Sequence, residues 1–239
     1  MKRTDLRFKP SLLAMLAAAT LLTACSDDDN DTVEVTPPAP VMQTFTVTVT
    51  NLTANQPMSP VILASHASDA MLWNAGEMAS VAIEKMAEGG DTADIAALSV
   101  INSSVNGAGM LMPGASETLT LTLAEADVAS ISLATMLVNT NDAFTGINSY
   151  AIADMQVDAS KAMKFMAYDA GTEANSEAKG TMPGPADGGE GFNASRDDVD
   201  FVHIHPGVIS MYDGLDDSVL GASHRFDNPV LAVTIMRTQ

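Results

Sequence analysis

Residues 44–50 read Thr-Phe-Thr-Val-Thr-Val-Thr, and residues 118–123 read Thr-Leu-Thr-Leu-Thr-Leu. Each stretch sets an apolar side chain at every second position between threonines. Successive side chains of a β-strand point to opposite faces, so both stretches predict half-buried antiparallel strands. Residues 131–138 (ISLATMLV) are apolar on both faces, as a central strand is. Residues 162–168, 201–205 and 230–236 add further strands between clusters of Gly, Pro, Asn and Asp. Between the first two strands, residues 71–87 and 92–99 are rich in Ala, Met, Leu and Glu, with apolar spacing near 3.6. The predicted fold is all-β, an antiparallel β-sandwich with one or two short helices inserted after the first strand. Strands and helices do not alternate regularly, which argues against a doubly wound sheet.

The rest of the chain bounds where such a domain works. Of 239 residues, 46% are apolar and 17% charged, enough apolar material for a packed core. Eleven Lys and Arg face thirty Asp and Glu, a formal charge of −19. That balance leaves no basic surface to neutralise a run of phosphates, so nucleic acid is excluded as an expected partner. Lys2, Arg3, Arg7 and Lys9 precede the apolar run 11–23, too short to span a bilayer comfortably. Residues 1–24 therefore read as an export signal. Its end, Leu22-Thr23-Ala24-Cys25, resembles a bacterial lipobox, in which cleavage exposes a cysteine that is lipidated. Cys25 is the single cysteine, so no disulfide is expected and the fold must stand on packing. Cleavage would remove four basic residues and Asp5, leaving 7 positive against 29 negative groups. Ser26 beside the lipidated cysteine points to the outer membrane of a bacterial envelope. Residues 25–42, acidic and then Pro-rich, have too little apolar surface to fold and read as an extended tether. The folded domain is expected over 43–239.

Within that domain the residues carry a resemblance. Ala64-Ser65-His66, Leu72-Trp73, Gly76, Ala79-Ser80 and Ala87-Glu88-Gly89 are similar to the opening of a spondin domain, the amino-terminal domain of F-spondin and mindin. Leu133-Ala134-Thr135-Met136-Leu137, followed by Asp142-Ala143-Phe144-Thr145-Gly146, resembles that family's Leu-Ala-Ser-Met-Leu strand and its Ser-Pro-Asp-Trp loop. Asp169-Ala170-Gly171-Thr172-Glu173 matches its Asp-Ala-Gly-Thr-Asp turn, with a longer final acid. Residues 229–235 resemble its closing strand.

The resemblance implies an antiparallel β-sandwich that binds calcium at one end through the aspartates of those two motifs, here Asp142 and Asp169. Calcium takes about six to eight hard oxygens, which carboxylates and loop carbonyls supply. Gly146 and Gly171 are expected to let the nearby backbone turn sharply. Asn139, Asn141 and Glu173 are weaker candidate ligands. The family adds a glutamate from the preceding strand, whereas the corresponding stretch 118–123 carries no acid; Glu117 and Glu125 only flank it. The alternative is that Asp142 and Asp169 fix loops by bonding backbone amides.

Other chemistry is thinner. His203 and His205 stand two apart, so in a strand both rings face one side about 7 Å apart, a spacing that admits a shared transition metal. His66, inside the matched Ala-Ser-His stretch, is read as a hydrogen-bonded structural residue, and His224 is too remote in sequence to place. Residues 180–200 form a long, Gly-rich, acidic loop expected to be mobile at a sandwich end, and Asp197, Asp198 and Asp200 in it are candidates for a second cation. There is no Gly-x-Ser-x-Gly elbow, P-loop or dinucleotide fingerprint. The methionines are scattered, as gap-fillers of a core poor in aromatics. The expected role is therefore binding or adhesion, as in the family's extracellular-matrix members, with a protein, a glycan or an envelope polymer as partner. The alternatives are a metal-dependent envelope enzyme using His203 and His205, and a purely structural envelope module.

Overall fold

A computed structural model describes residues 38–239. The expected export signal (1–24), Cys25 and most of the expected tether (25–37) lie outside the described residues. Among the described residues ten strands form two antiparallel sheets. The four-stranded sheet, ordered β4-β1-β10-β7, contains β1 (Met42–Asn51), β4 (Ser116–Ala124), β7 (Ser160–Phe165) and β10 (Leu231–Arg237). The six-stranded sheet, ordered β3-β2-β5-β6-β8-β9, contains β2 (Ile62–His66), β3 (Ile101–Asn106), β5 (Ser130–Met136), β6 (Ala143–Ala151), β8 (Ala167–Asp169) and β9 (His203–Ile204).

The alternating stretches behave as their period dictates. Phe45 pairs with Leu121 and Val47 with Leu119, and Val47 meets Ile235 on the other side. These side chains are buried in a core shared with Leu63, Ile131 and Leu133 of the second sheet. The threonines face outward and pair across the strands: Thr48 and Thr118 hydroxyls lie 2.8 Å apart, those of Thr44 and Thr122 3.1 Å. Cross-strand hydroxyl pairs of this kind contribute roughly 0.2–1 kcal/mol each.

Strand β5 is buried at all seven positions because the six-stranded sheet is covered on both faces. Its outer face carries a second core, in which Trp73, Ile83, Met86 and Ile95 meet Ile62, Met136 and Phe144. Helices α1 (Val81–Gly89) and α2 (Ala93–Ala96) supply part of that cover. Ser80 caps α1 by accepting a bond from Ile83 N–H, so the helix starts there and residues 71–79 are an irregular lead-in with a turn at 74–77 rather than helix.

Three expectations shift. The helices follow β2 rather than β1, because Ile62–His66 is a strand buried at every position and so shows no alternation to read. The run 162–168 is two strands in different sheets, β7 and β8, with the chain crossing at Met166. Gly146 lies inside β6 and is no turn residue: a Cβ there would stand 1.8 Å from Leu133 O, so the close approach of β5 and β6 demands glycine. No helix among the described residues is long and apolar enough to cross a membrane.

Candidate metal centre

The crossing at Met166 delivers Asp169 to the last position of β8. There it stands in register with Ala143 of β6 on one side and His203 of β9 on the other. Residues directly opposite in antiparallel strands project to the same face, so His203 and Asp169 meet. Asp142, immediately before β6, completes the corner.

Both aspartates are fully buried. The Asp-Ala-Gly-Thr turn wraps around them: Asp169 Oδ1 accepts from Gly171 N–H at 2.8 Å, while Asp142 Oδ2 accepts from Thr172 N–H at 2.8 Å and Glu173 N–H at 3.1 Å. The Thr172 hydroxyl adds a third, longer donor to that oxygen at 3.3 Å. Asp142 Oδ1 is buried and has no partner. Burial, and then the charge of Asp169, push the Asp142 carboxyl up to about 8, against the pull of the two backbone donors. Asp169 Oδ2 accepts from Asn175 Nδ2 at 2.6 Å.

The histidines take different roles. His205 Nδ1 accepts from Gly207 N–H at 3.0 Å, which places the ring proton on Nε2, facing Asn175 Oδ1 at 3.1 Å. Burial lowers its pKa to about 4, so it is a neutral, committed ring. His203 Nδ1 lies 3.4 Å from Asp169 Oδ1, yet it is buried without a hydrogen bond. The paired histidines therefore do not present two free nitrogens to one ion.

A strap formed by 196–202 runs over the turn. Asp197 N–H bonds Thr172 O at 3.1 Å and Asp200 N–H bonds Gly171 O at 2.7 Å. Gly171 has φ +69°, and a Cβ there would meet Phe201 O at 2.3 Å, so both its conformation and its neighbour require glycine. Arg196 anchors the strap to α1: it reaches Glu84 at 2.7 Å, Asp200 at 2.6 Å and Ala79 O at 2.8 Å. The segment expected to be a mobile acidic loop is thus tied down at its carboxy-terminal end. Asp197 is used on Ala174 N–H and Asp200 on Arg196, whereas Asp198 joins Asp169 and His203: one donor atom from each of these three lies within 4.8 Å of the others.

The remaining candidates are spoken for. Asn141 Oδ1 accepts from Glu177 N–H, and its amide donates to Glu173 Oε1 at 3.0 Å. Glu173, pushed up to about 7 by burial, is thereby oriented by Asn141. Asn139 Oδ1 accepts from Ala186 N–H. Glu117 belongs to the other sheet and holds Ala108 N–H. His66 bonds Ala67 O and Ser132 Oγ, and His224 accepts from Gly221 N–H, both structural positions.

Sequence reasoning missed Arg196, Glu84 and Asn175. Arg196 alone left a trace, a cation within a long acidic loop; nothing local ties Glu84 or Asn175 to this corner.

A corner of two buried carboxylates, one orphaned oxygen and one orphaned imidazole nitrogen fits a cation, since buried charge demands compensation. Its oxygens suit a hard cation such as calcium, and its imidazole extends that range. Comparison with curated proteins returns no match. The Spondin_N family model matches residues 48–182, a span that includes Asp142 and Asp169 and ends before Asp198 and His203. With more than half of its length matched, and with the two-sheet architecture described above, the chain belongs to the Spondin_N family.

Proposed function

We infer that this chain is an exported lipoprotein, held through Cys25 on a bacterial envelope membrane, that presents a calcium-binding spondin domain for adhesion or ligand capture. The observation that supports the calcium part is Asp142 Oδ1, a buried carboxylate oxygen without a partner beside the equally buried Asp169. Among the described residues neither aspartate is paired with Lys or Arg. Asp142 and Asp169 would hold the ion, with the remaining positions filled by carbonyls or water. The ion would fasten β6 to the Asp-Ala-Gly-Thr turn and so stiffen the loops at that end of the sandwich. No catalytic role is assigned, because His205 has both ring nitrogens engaged. A domain of this acidity would approach an anionic polymer only through a bridging cation, so capture of such a partner would be chelator-sensitive.

The test is calorimetry of calcium on the full-length chain, purified in detergent and stripped with chelator, beside an Asp142→Asn, Asp169→Asn variant. One binding event and a raised Tm in the parent alone are expected; a parent that takes no calcium overturns the reading. Incorporation of labelled fatty acid into the parent and not into Cys25→Ser tests the anchor.

A further inference from the structure

The corner contains a donor that a calcium site does not call for. Calcium prefers oxygen, whereas imidazole nitrogen suits zinc, manganese and their first-row neighbours. His203 brings such a nitrogen to 3.4 Å from Asp169 Oδ1, buried and without a hydrogen bond. Asp198 joins them from the strap. Of the three acids in 197–200, Asp197 and Asp200 are occupied by Ala174 N–H and Arg196, and Asp198 faces Asp169 and His203 instead.

The placement of Asp198 is built rather than incidental. Arg196 two residues before it is fixed on Glu84, Asp197 is bonded to Thr172 O, and Asp200 is bonded to Gly171 O. Asp142, fully buried with Oδ1 unpartnered, adds a second, independent sign of a missing positive charge next to Asp169. His205 Nε2, 3.9 Å from Asp169 Oδ2, bonds Asn175 Oδ1 instead, and Asn175 in turn donates to that carboxylate oxygen at 2.6 Å.

We propose that Asp169, Asp198 and His203 form a mixed nitrogen and oxygen site for a divalent transition cation of the zinc class. Zinc bonds to such donors are about 2.0–2.2 Å, so tetrahedral donors stand roughly 3.4 Å apart. The three donors here lie within 4.8 Å of one another, and side-chain rotations of about 1 Å bring them to bonding distance. Three protein ligands leave one position open, which a carboxylate or phosphate of a partner surface can fill. The site shares Asp169 with the calcium reading but does not depend on it.

The test uses the full-length chain in detergent, in a Cys25→Ser background so that the thiol does not compete for metal. Zinc affinity is measured by calorimetry, and cobalt serves as a coloured substitute whose visible absorption reports its ligands. The expected result is one zinc per chain, weakened at least tenfold by His203→Gln and by Asp198→Asn, with a loss of cobalt absorption in His203→Gln. Both variants change partly exposed side chains, and an unchanged circular dichroism spectrum checks that each is folded. Zinc affinity unaltered by both substitutions, or a parent that takes no zinc while binding calcium, overturns the proposal and leaves the calcium reading standing. Zinc bound through His203 in a chain that ignores calcium sustains it and removes the calcium reading.

Discussion

The β1 and β4 pair and the β6, β8 and β9 corner are built on opposite principles. In the first, local preference and tertiary position agree: apolar side chains at every second position go in and threonines stay out. In the second, Asp142 and Asp169 are as deeply buried as Phe45, and an oxygen of one of them bonds to nothing. A region that obeys every local rule carries stability, and one that breaks them stores an unmet demand. That demand is what singles the corner out as the candidate site.

Substitutions should separate the two regions by size and by sign. The largest loss belongs to the conventional core: Phe45→Ala removes a wholly buried ring and should cost about 3–5 kcal/mol in denaturant unfolding. Arg196→Ala comes next. It strands Glu84, which is only 3% exposed, and should cost about 3 kcal/mol, while a Glu84→Gln, Arg196→Met double variant should recover much of it. Recovery that fails would mean the strap itself, and not the buried charge, is what Arg196 supports.

At the corner the sign reverses. In chelator, Asp142→Asn should stabilise by about 1.5–3 kcal/mol: its oxygen keeps Thr172 and Glu173, and its amide donates to the neighbouring carboxylate. With a cation present the parent should gain Tm and the variant should not. Loss of stability in chelator would show that the corner is an ordinary hydrogen-bonded turn.

The pH response sharpens the same contrast. Glu177, buried against Ile209 N–H and Ser218, is raised from 4.5 to about 7. Across that window the folded state binds more protons than the unfolded one, so stability should fall as pH rises from about 4.5 to 7. Glu177→Gln should flatten the part of the slope due to this residue, read as Tm against pH. The smallest effect is expected on the exposed ladder, where Thr48→Ala should cost about 0.2–1 kcal/mol.

Legibility followed burial. β1, β4 and β10 were readable because one face of each meets water and the other does not, which imprints a period of two. β2 and the first half of β6 are buried on both faces and leave no such imprint. At the corner, Asp142 and Asp169 were readable through motifs local in sequence. Their mutual burial, the orphaned oxygen and the commitment of Asn141 to Glu177 were not, because each depends on chain segments some 30 residues apart. His203 and His205 looked equivalent at a spacing of two, yet Asn175 and Gly207 occupy one ring and leave the other free.

By itself, then, the sequence determined the sandwich, the acid surplus and the two turns that carry the aspartates, because these follow from periodicity, composition and short motifs. Only the tertiary structure decided that the chain changes sheets at Met166, that Gly171 must yield its side-chain space to Phe201, and that Arg196 carries Asp198 to His203. Those are facts of contact between distant segments. A contact depends on where two backbones lie relative to each other, and no local pattern of side chains encodes that.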